Sequence, residues 1–169
     1  MNEHGALQAV MENYYTVEAH RDGVLLWREF ITNLVVTEGL TDSIDKYFKG
    51  AAYTAAFYVG LTATVPTFAA GNTMAVHAGW TEVVAYSESV RQTFTLGTVT
   101  AGSASNTASK AVFTINADST VIGGAFVTTN NTKSGTTGIL YGGGAFTADR
   151  TLMNGDVLSV TITVTASAA

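Results

Sequence analysis

The chain has 169 residues, a net charge of −5 and no cysteine. This length suits one domain with a sizeable core. The negative net charge argues against a dedicated nucleic-acid-binding protein. The lack of cysteine excludes disulfides and thiolate metal sites. Charged residues make up only 12% of the chain, about half the usual share, which favours an extracellular all-β module or a protein whose surface is largely covered by neighbours.

Residues 1–13 form the first segment. Leu7, Val10 and Met11 have helical spacing but no strong N-cap, so we predict an N-terminal arm, either extended or a loosely held helical turn, that reaches a neighbour. The segment lacks the charged and apolar regions of a secretory signal, and no window of the chain reaches the ~18 apolar residues of a membrane helix. We therefore expect a soluble protein made in a cytoplasm, with a single domain over residues 14–169.

Residues 14–30 predict a β-hairpin. Residues 14–20 and 24–30 read as extended segments, and the Asp22-Gly23 pair between them tolerates the positive φ that tight turns require.

The best-specified helix covers residues 41–49. Thr41 can cap its first turn and Asp42 complements its dipole, while Gly50 can end it. Its spacing predicts one apolar face, made of Leu40, Ile44, Tyr47 and Phe48. Residues 34–36 and 53–62 flank this helix as apolar extended runs.

The rest of the chain predicts short antiparallel strands. Residues 63–79 contain the only proline and read as a long loop, a type of segment that often contacts partners. Strands are expected at 80–86, 91–99, 110–116, 121–129, 138–146 and 157–165, with a flexible polar loop at 100–109. The last strand alternates apolar residues with threonine, as in a strand with one solvated face. This pattern predicts an all-β fold, an antiparallel, jelly-roll-like β-sandwich with one short helix.

No catalytic constellation is apparent. The three histidines, His4, His20 and His77, lie far apart and have no second metal ligand at a suitable spacing. Glu82 and Glu88 flank a strand without an evident partner. The YGGGAF run lacks the Lys-Ser/Thr pair of a phosphate loop and more often marks a bulge or a close backbone approach. We predict no catalytic, cofactor or metal site, and hence no enzyme.

Aromatic residues on predicted strands have two interpretations. They could stack sugars or bases, or they could fill the core, which is the commoner role of strand aromatics. The residues concerned are Trp27, Tyr53, Tyr58, Trp80 and Tyr86.

Several segments together resemble one family. Four segments are similar to tailed-bacteriophage virion proteins. They are the run LLWREFITNLVVTEGLTDSIDKYFKGAAYTAAFYVGLT, the G-W-x-E…Y…R element in HAGWTEVVAYSESVRQTF, the segment VFTINADSTVIGGAFV and the terminal GDVLSVTITVT. The resemblance covers residues 22–165, and proteins of this kind are similar to capsid decoration or cement proteins. It implies a small β-sandwich subunit that sits on the shell and ties coat-protein subunits together.

The resemblance sets the functional expectations. The partners would be the major capsid protein and further copies of this chain, as a dimer or trimer, with no nucleic acid and no membrane. The protein would be made in the host cytoplasm and would lie on the capsid surface of the virion. The alternative is a tail- or fibre-associated module, possibly carbohydrate-binding. Expected capsid or subunit contacts are Leu7, Val10, Met11, Val65, Pro66, Phe68 and Met74. Deleting residues 1–13 should weaken shell binding and leave the fold intact.

Overall fold

The computed structural model describes residues 9–53 and 56–168. Over these residues the chain is an antiparallel β-sandwich with one α-helix, which confirms the predicted fold class. The strands are β1 (Ala9–Arg21), β2 (Val24–Thr32), β3 (Leu34–Val35), β4 (Phe57–Thr62), β5 (Glu82–Val83), β6 (Gln92–Phe94), β7 (Ser103–Ser105), β8 (Ala111–Thr114), β9 (Thr120–Thr128), β10 (Leu140–Leu152) and β11 (Val157–Ala168), and the helix is α1 (Thr37–Phe48).

Two sheets form the sandwich. Sheet A has the order β2-β1-β11, and the short strands β7 and β8 both pair with the other side of β11. Sheet B has the order β3-β10-β9-β4, and both β5 and β6 pair with β4. The chain passes from sheet A to sheet B between β2 and β3, because Leu34 and Val35 pair with β10 directly after β2 ends.

The main core lies between the sheets and follows from strand alternation. Leu158, Val160 and Ile162 of β11 are buried, whereas Thr161, Thr163 and Thr165 on the other face are only partly covered. This alternation confirms the predicted apolar face of the last strand.

A second core lies on the opposite side of sheet B. Here the loop of residues 63–79 folds over β9 and β10, and Phe68 packs against the buried cluster. The buried members of this second core are Val36, Met74, Trp80, Phe126 and Leu140. The long loop is therefore part of the packed domain.

Glycines in sheet B allow this loop to lie close to the strands. A Cβ atom on Gly143 would overlap the Phe68 ring, and one on Gly123 would overlap the backbone of Thr64. The glycine run in YGGGAF thus marks a close approach, as predicted, because a side chain there would displace the covering loop.

The first strand begins earlier than predicted. The Asp22-Gly23 turn has positive φ at both residues, as expected, but β1 already starts at Ala9, which pairs with Ala168 of β11. Residues 9–13 are therefore a sheet strand and not a helical turn, and deleting residues 1–13 would remove five paired residues. Residues 1–8 lie outside the described residues.

The helix also begins earlier, at Thr37 instead of Thr41. Its N-cap, Val36, makes no side-chain cap, and the first turn is fixed by tertiary bonds such as that from the Thr37 amide to the Ala70 carbonyl. The Thr41 hydroxyl instead donates to the Thr37 carbonyl inside the helix. Gly50, with φ +70°, follows the helix as predicted.

Three other predicted boundaries need correction. The strand predicted at residues 80–86 covers only Glu82–Val83, and the strand predicted at residues 91–99 covers only Gln92–Phe94. The supposedly flexible loop at 100–109 contains strand β7 and a short 3-10 turn. Its Asn106 side chain is buried and bonds to the backbone of β11, which explains the order of this segment.

An ion pair joins the end of β1 to the turn between β10 and β11. Both carboxylate oxygens of the buried Asp156 accept hydrogen bonds from Arg21, at 2.7 and 2.8 Å. The Met153 amide donates to the same carboxylate. The Arg21 guanidinium holds the pKa of Asp156 below its usual value.

Neutralising Asp156 should change the acid response of the fold. Because its folded-state pKa is depressed, its contribution is complete above the ordinary aspartate pKa and is lost as the pH falls through the folded pKa. We expect Asp156→Asn to lower the free energy of unfolding at neutral pH by roughly 1–3 kcal/mol, with a smaller deficit at acid pH. Urea unfolding across the acid range measures this; Asp45→Asn, at an exposed helix pair, is the control and should change stability little. A deficit independent of pH would contradict the account.

Candidate interaction surface

Helix α1 packs on its own domain with its small and polar face. Gly39 is buried against the backbone of Tyr141, where an added Cβ would lie 2.8 Å from the Tyr141 Cα. On the same side, the Tyr141 hydroxyl donates to Asp42, and Ser43 and Lys46 are half-buried. An amphipathic helix of a globular domain normally buries its apolar face, so this orientation is reversed.

The first turn of α1 is held firmly in that orientation. The Glu38 carboxylate accepts the Leu140 amide at 2.9 Å, and the Val36 amide donates to the Tyr141 carbonyl. Burial, reinforced by the hydrogen bond to Asp42, raises the pKa of Tyr141, so this phenol stays protonated as the donor. These contacts come from β10 and fix the direction of the helix.

The apolar face of α1 therefore points away from the domain. We define the helix patch as this face together with the neighbouring Met11 of β1. Its exposed fractions are Met11 38%, Leu40 41%, Ile44 57%, Tyr47 83% and Phe48 78%. With large side chains of about 150–250 Å² each, the patch exposes on the order of 600 Å², which is the upper end for the largest apolar patch of a typical monomer. The patch is therefore the candidate interaction surface.

The helix patch has a concave part. A groove of about 540 Å³ runs between α1 and the paired ends of β1 and β11, where Met11 lies opposite Ala166. Met11, Leu40, Ile44 and Phe48 line it, so its walls are mainly apolar. A groove beside projecting aromatic rings suits an apolar segment of another protein.

Charges border the helix patch but are paired within the helix. Asp45 and Lys49 lie 2.7 Å apart, and Asp42 and Lys46 lie 3.9 Å apart. Lys49 holds the pKa of Asp45 below its usual value. Because these charges are largely balanced, docking on the patch gains little from long-range attraction and depends on apolar burial.

The structure separates the predicted contact residues. Met11 lies in the helix patch and Val65 is exposed, so both are accessible. Met74 is buried in the second core, Pro66 is buried, and Phe68 is half-buried against the second core. Met74 and Pro66 are therefore not surface contacts, because the loop that carries them uses them to cover sheet B. Leu7 and the side chain of Val10 lie outside the described residues.

The aromatic residues do not form a flat platform. Trp80 and Tyr86 are buried, Trp27 packs edge-on against Phe146, and Tyr58 is half-buried; Tyr53 alone among the five candidates is exposed. In the helix patch the Tyr47 and Phe48 rings stand at 80° to each other. A sugar ring stacks on one exposed face, so this edge-to-face pair is a poor sugar platform.

Among the histidines, His77 has a structural partner. His77 stacks on Trp80, with ring centroids 3.8 Å apart, and His4 lies outside the described residues. Over residues 9–53 and 56–168, no three His, Asp or Glu side chains come together as a metal site would require. Within the same ranges no helix is long and apolar enough to cross a membrane.

Glu82 has a partner that the sequence did not reveal. Arg91, which is almost fully buried, donates from Nε and Nη2 to the two Glu82 oxygens, both at 2.8 Å. It also donates to the carbonyls of Asn130 and Gly135 at 2.9 Å. The sequence shows no evident partner for either carboxylate, whereas the structure pairs Glu82 with Arg91 and lets Glu88 accept the Thr114 amide.

This ion pair explains the G-W-x-E…Y…R element. Trp80 belongs to the second core and Tyr86 to the main core, while Glu82 and Arg91 form the buried pair between them and the loop of residues 130–135. The motif thus specifies packing.

Neither a protein-family model, nor a curated protein, nor a solved structure matches the chain.

Proposed function

We propose that this protein is a structural component of a phage virion that binds the outside of the capsid and stabilises it by bridging coat-protein subunits. The observation that carries the proposal is the reversed helix, which displays an apolar surface that the domain itself does not use. Such a surface costs solubility in a free protein and is favoured where a partner covers it.

In this proposal the helix patch is the contact with the major capsid protein. Its area approaches the ~800 Å² that each partner buries in a standard interface, and Tyr47 and Phe48 have the character of hot-spot anchors. Met11 belongs to the same patch and is also one of the contact residues predicted from the sequence. The loop of residues 63–79 would then have a structural role, apart from the exposed Val65.

The way in which the helix is anchored to the sandwich suits a protein that bridges coat-protein subunits. The helix is fixed by partly buried hydrogen bonds to β10, so little conformational entropy is lost when the patch docks. Many copies on a shell add weak contacts through effective concentration, and the low charge content limits the cost of desolvation.

The proposal is tested by co-sedimentation of the purified protein with capsid shells that lack it. We expect saturable binding at a fixed ratio to coat protein, and a higher temperature of shell disruption when the protein is bound. Purified tails and a glycan array serve as the comparison ligands. Binding to tails or glycans without binding to shells would overturn the capsid role in favour of a tail- or fibre-associated module.

A further inference from the structure

A cavity of about 180 Å³ lies between the two sheets, at the end of the sandwich that α1 covers, and residues of both sheets line it. Its inner part is formed by Phe94, Val127 and Ile162, all of which are buried. Met11 of β1 and Leu96, which follows β6, also line it and are each 38% exposed. The cavity is therefore enclosed by the core on one side and reachable from solvent on the other.

The reversed orientation of α1 explains why this space is unfilled. The helix contributes the small Ser43 to the lining, while its large apolar residues Ile44 and Tyr47 are exposed. Protein interiors normally contain few voids larger than a water molecule, so a cavity of this size is an exception. An apolar cavity of about 150 Å³ stays dry and can hold a benzene molecule. The cavity is therefore large enough for one six-membered ring.

The wall that sheet B contributes is largely aromatic. Phe57 of β4 and Phe94 of β6 are directly opposite each other in the paired strands, and both line the cavity. Tyr141 of β10 also lines it and stands edge-on to the Phe57 ring, with 4.9 Å between the ring centroids. Aromatic rings gain from edge-to-face and offset contacts with a further ring. The walls therefore favour an aromatic ligand over an aliphatic one of the same size.

One polar atom interrupts the apolar lining. Asn13 of β1 lines the cavity, and its Oδ1 is buried without a hydrogen-bond partner among the described residues. Two other polar side chains of the lining are already engaged as donors, since the Ser43 hydroxyl donates to the Gly39 carbonyl at 2.9 Å and the Tyr141 hydroxyl donates to Asp42. Buried polar atoms nearly always have a partner. The Asn13 oxygen therefore indicates where the donor group of a ligand belongs.

We propose that this cavity binds a small phenol, with the ring between the sheets and the hydroxyl donating to Oδ1 of Asn13. A ring fills the apolar space, and a single hydroxyl satisfies the single unpartnered acceptor. A water molecule suits the cavity less well, because a buried water needs two to four polar partners. This site goes beyond the proposed function and does not rest on it, since the free protein is sufficient to test it.

Isoleucine methyl signals in NMR spectra of the wild-type protein, titrated with phenol, test the location of the site. Ile162 and Ile122 are both fully buried, but only Ile162 lines the cavity, and Ile44 reports on the helix patch. We expect a saturable shift at Ile162 with a Kd of about 0.1–3 mM, and no such shift at Ile122 or Ile44. A shift at Ile44 without one at Ile162, or no shift at Ile162 up to about 20 mM phenol, would overturn the proposal.

The role of Asn13 is tested by comparing phenol with toluene, which has a methyl group in place of the hydroxyl. The same titration gives the ratio of the two affinities for the wild type and for Asn13→Leu. Because leucine removes the acceptor and keeps a similar volume, we expect the preference for phenol over toluene to fall roughly 10-fold or more. Asn131→Leu, at an exposed loop position, should keep the wild-type ratio. An unchanged ratio in Asn13→Leu would overturn the contact between Asn13 and the hydroxyl.

A larger side chain in the lining should exclude both ligands. Val164 of β11 lines the cavity and is half-buried, so Val164→Phe should occupy the space and weaken the binding of phenol and toluene roughly 10-fold or more. Val99→Phe, at an exposed loop position, should bind both ligands like the wild type, and circular dichroism checks the fold of each variant. A folded Val164→Phe protein that binds phenol normally would place the ligand elsewhere and overturn the proposal. If that variant does not fold, the Ile162 titration of the wild type decides.

Discussion

Replacing Arg91 with alanine should lower the free energy of unfolding by roughly 3–5 kcal/mol, because it leaves a buried carboxylate without its counter-ion. The Glu82 side chain is almost inaccessible, and after the substitution it retains the Ser134 amide as a donor. The carbonyls of Asn130 and Gly135 lose their guanidinium donors as well. Thermal and urea unfolding of the purified variant measure the loss.

Two further variants distinguish the loss of the buried ion pair from a nonspecific loss of stability. Arg28→Ala removes a half-exposed arginine from its pair with Glu18, whose carboxylate keeps Lys110 as a partner, so it should cost only about 1 kcal/mol. The double variant Glu82→Leu/Arg91→Met replaces both buried charges with apolar groups and should lose less than Arg91→Ala alone. An Arg91→Ala variant that unfolds like Arg28→Ala would contradict the structural role assigned to the motif.

The second large effect concerns binding. Tyr47→Ala/Phe48→Ala should weaken binding to capsid shells roughly 100-fold or more, since two exposed aromatic anchors are removed from the helix patch. Both side chains lie mostly in solvent, so the stability of the isolated protein should change little. Co-sedimentation across a concentration series gives the binding curve of each variant.

The matched control is Val76→Ala/Val99→Ala. These two valines are about two-thirds exposed and lie outside the helix patch, and Val76 belongs to the loop that the sequence assigns to coat contact. The control variant should bind shells like the wild type. If it loses binding while Tyr47→Ala/Phe48→Ala retains it, the shell contact lies on the loop and not on the helix.

The sequence predicted which residues share the apolar face of α1 but not where that face points. Helical periodicity groups Leu40, Ile44, Tyr47 and Phe48 without reference to the rest of the domain. The direction depends on the fit of Gly39 against Tyr141 and on the hydrogen bond from Tyr141 to Asp42. These partners lie about a hundred residues further along the chain, so local pattern carries no information about them.

The same reason explains the errors at residues 9–13 and in the loop of residues 63–79. Met11 has helical spacing with Leu7 and Val10, yet residues 9–13 pair with the far end of the chain in β11. Met74 and Pro66 look like exposed loop residues until Trp80, Phe126 and the glycines of sheet B are placed beneath them. The hairpin and the last strand were predicted well because turn chemistry and strict alternation are local signals.

The central claim is that a partner covers the outward face of α1 on the shell. The most direct test is the rate at which a maleimide labels Ile44→Cys, a single thiol in a chain without native cysteine, in the free protein and in the shell-bound protein. Val99→Cys serves as the reference site. We predict that shell binding strongly slows labelling at position 44 and leaves position 99 unchanged. Equal labelling of position 44 in the free and bound protein would contradict the account.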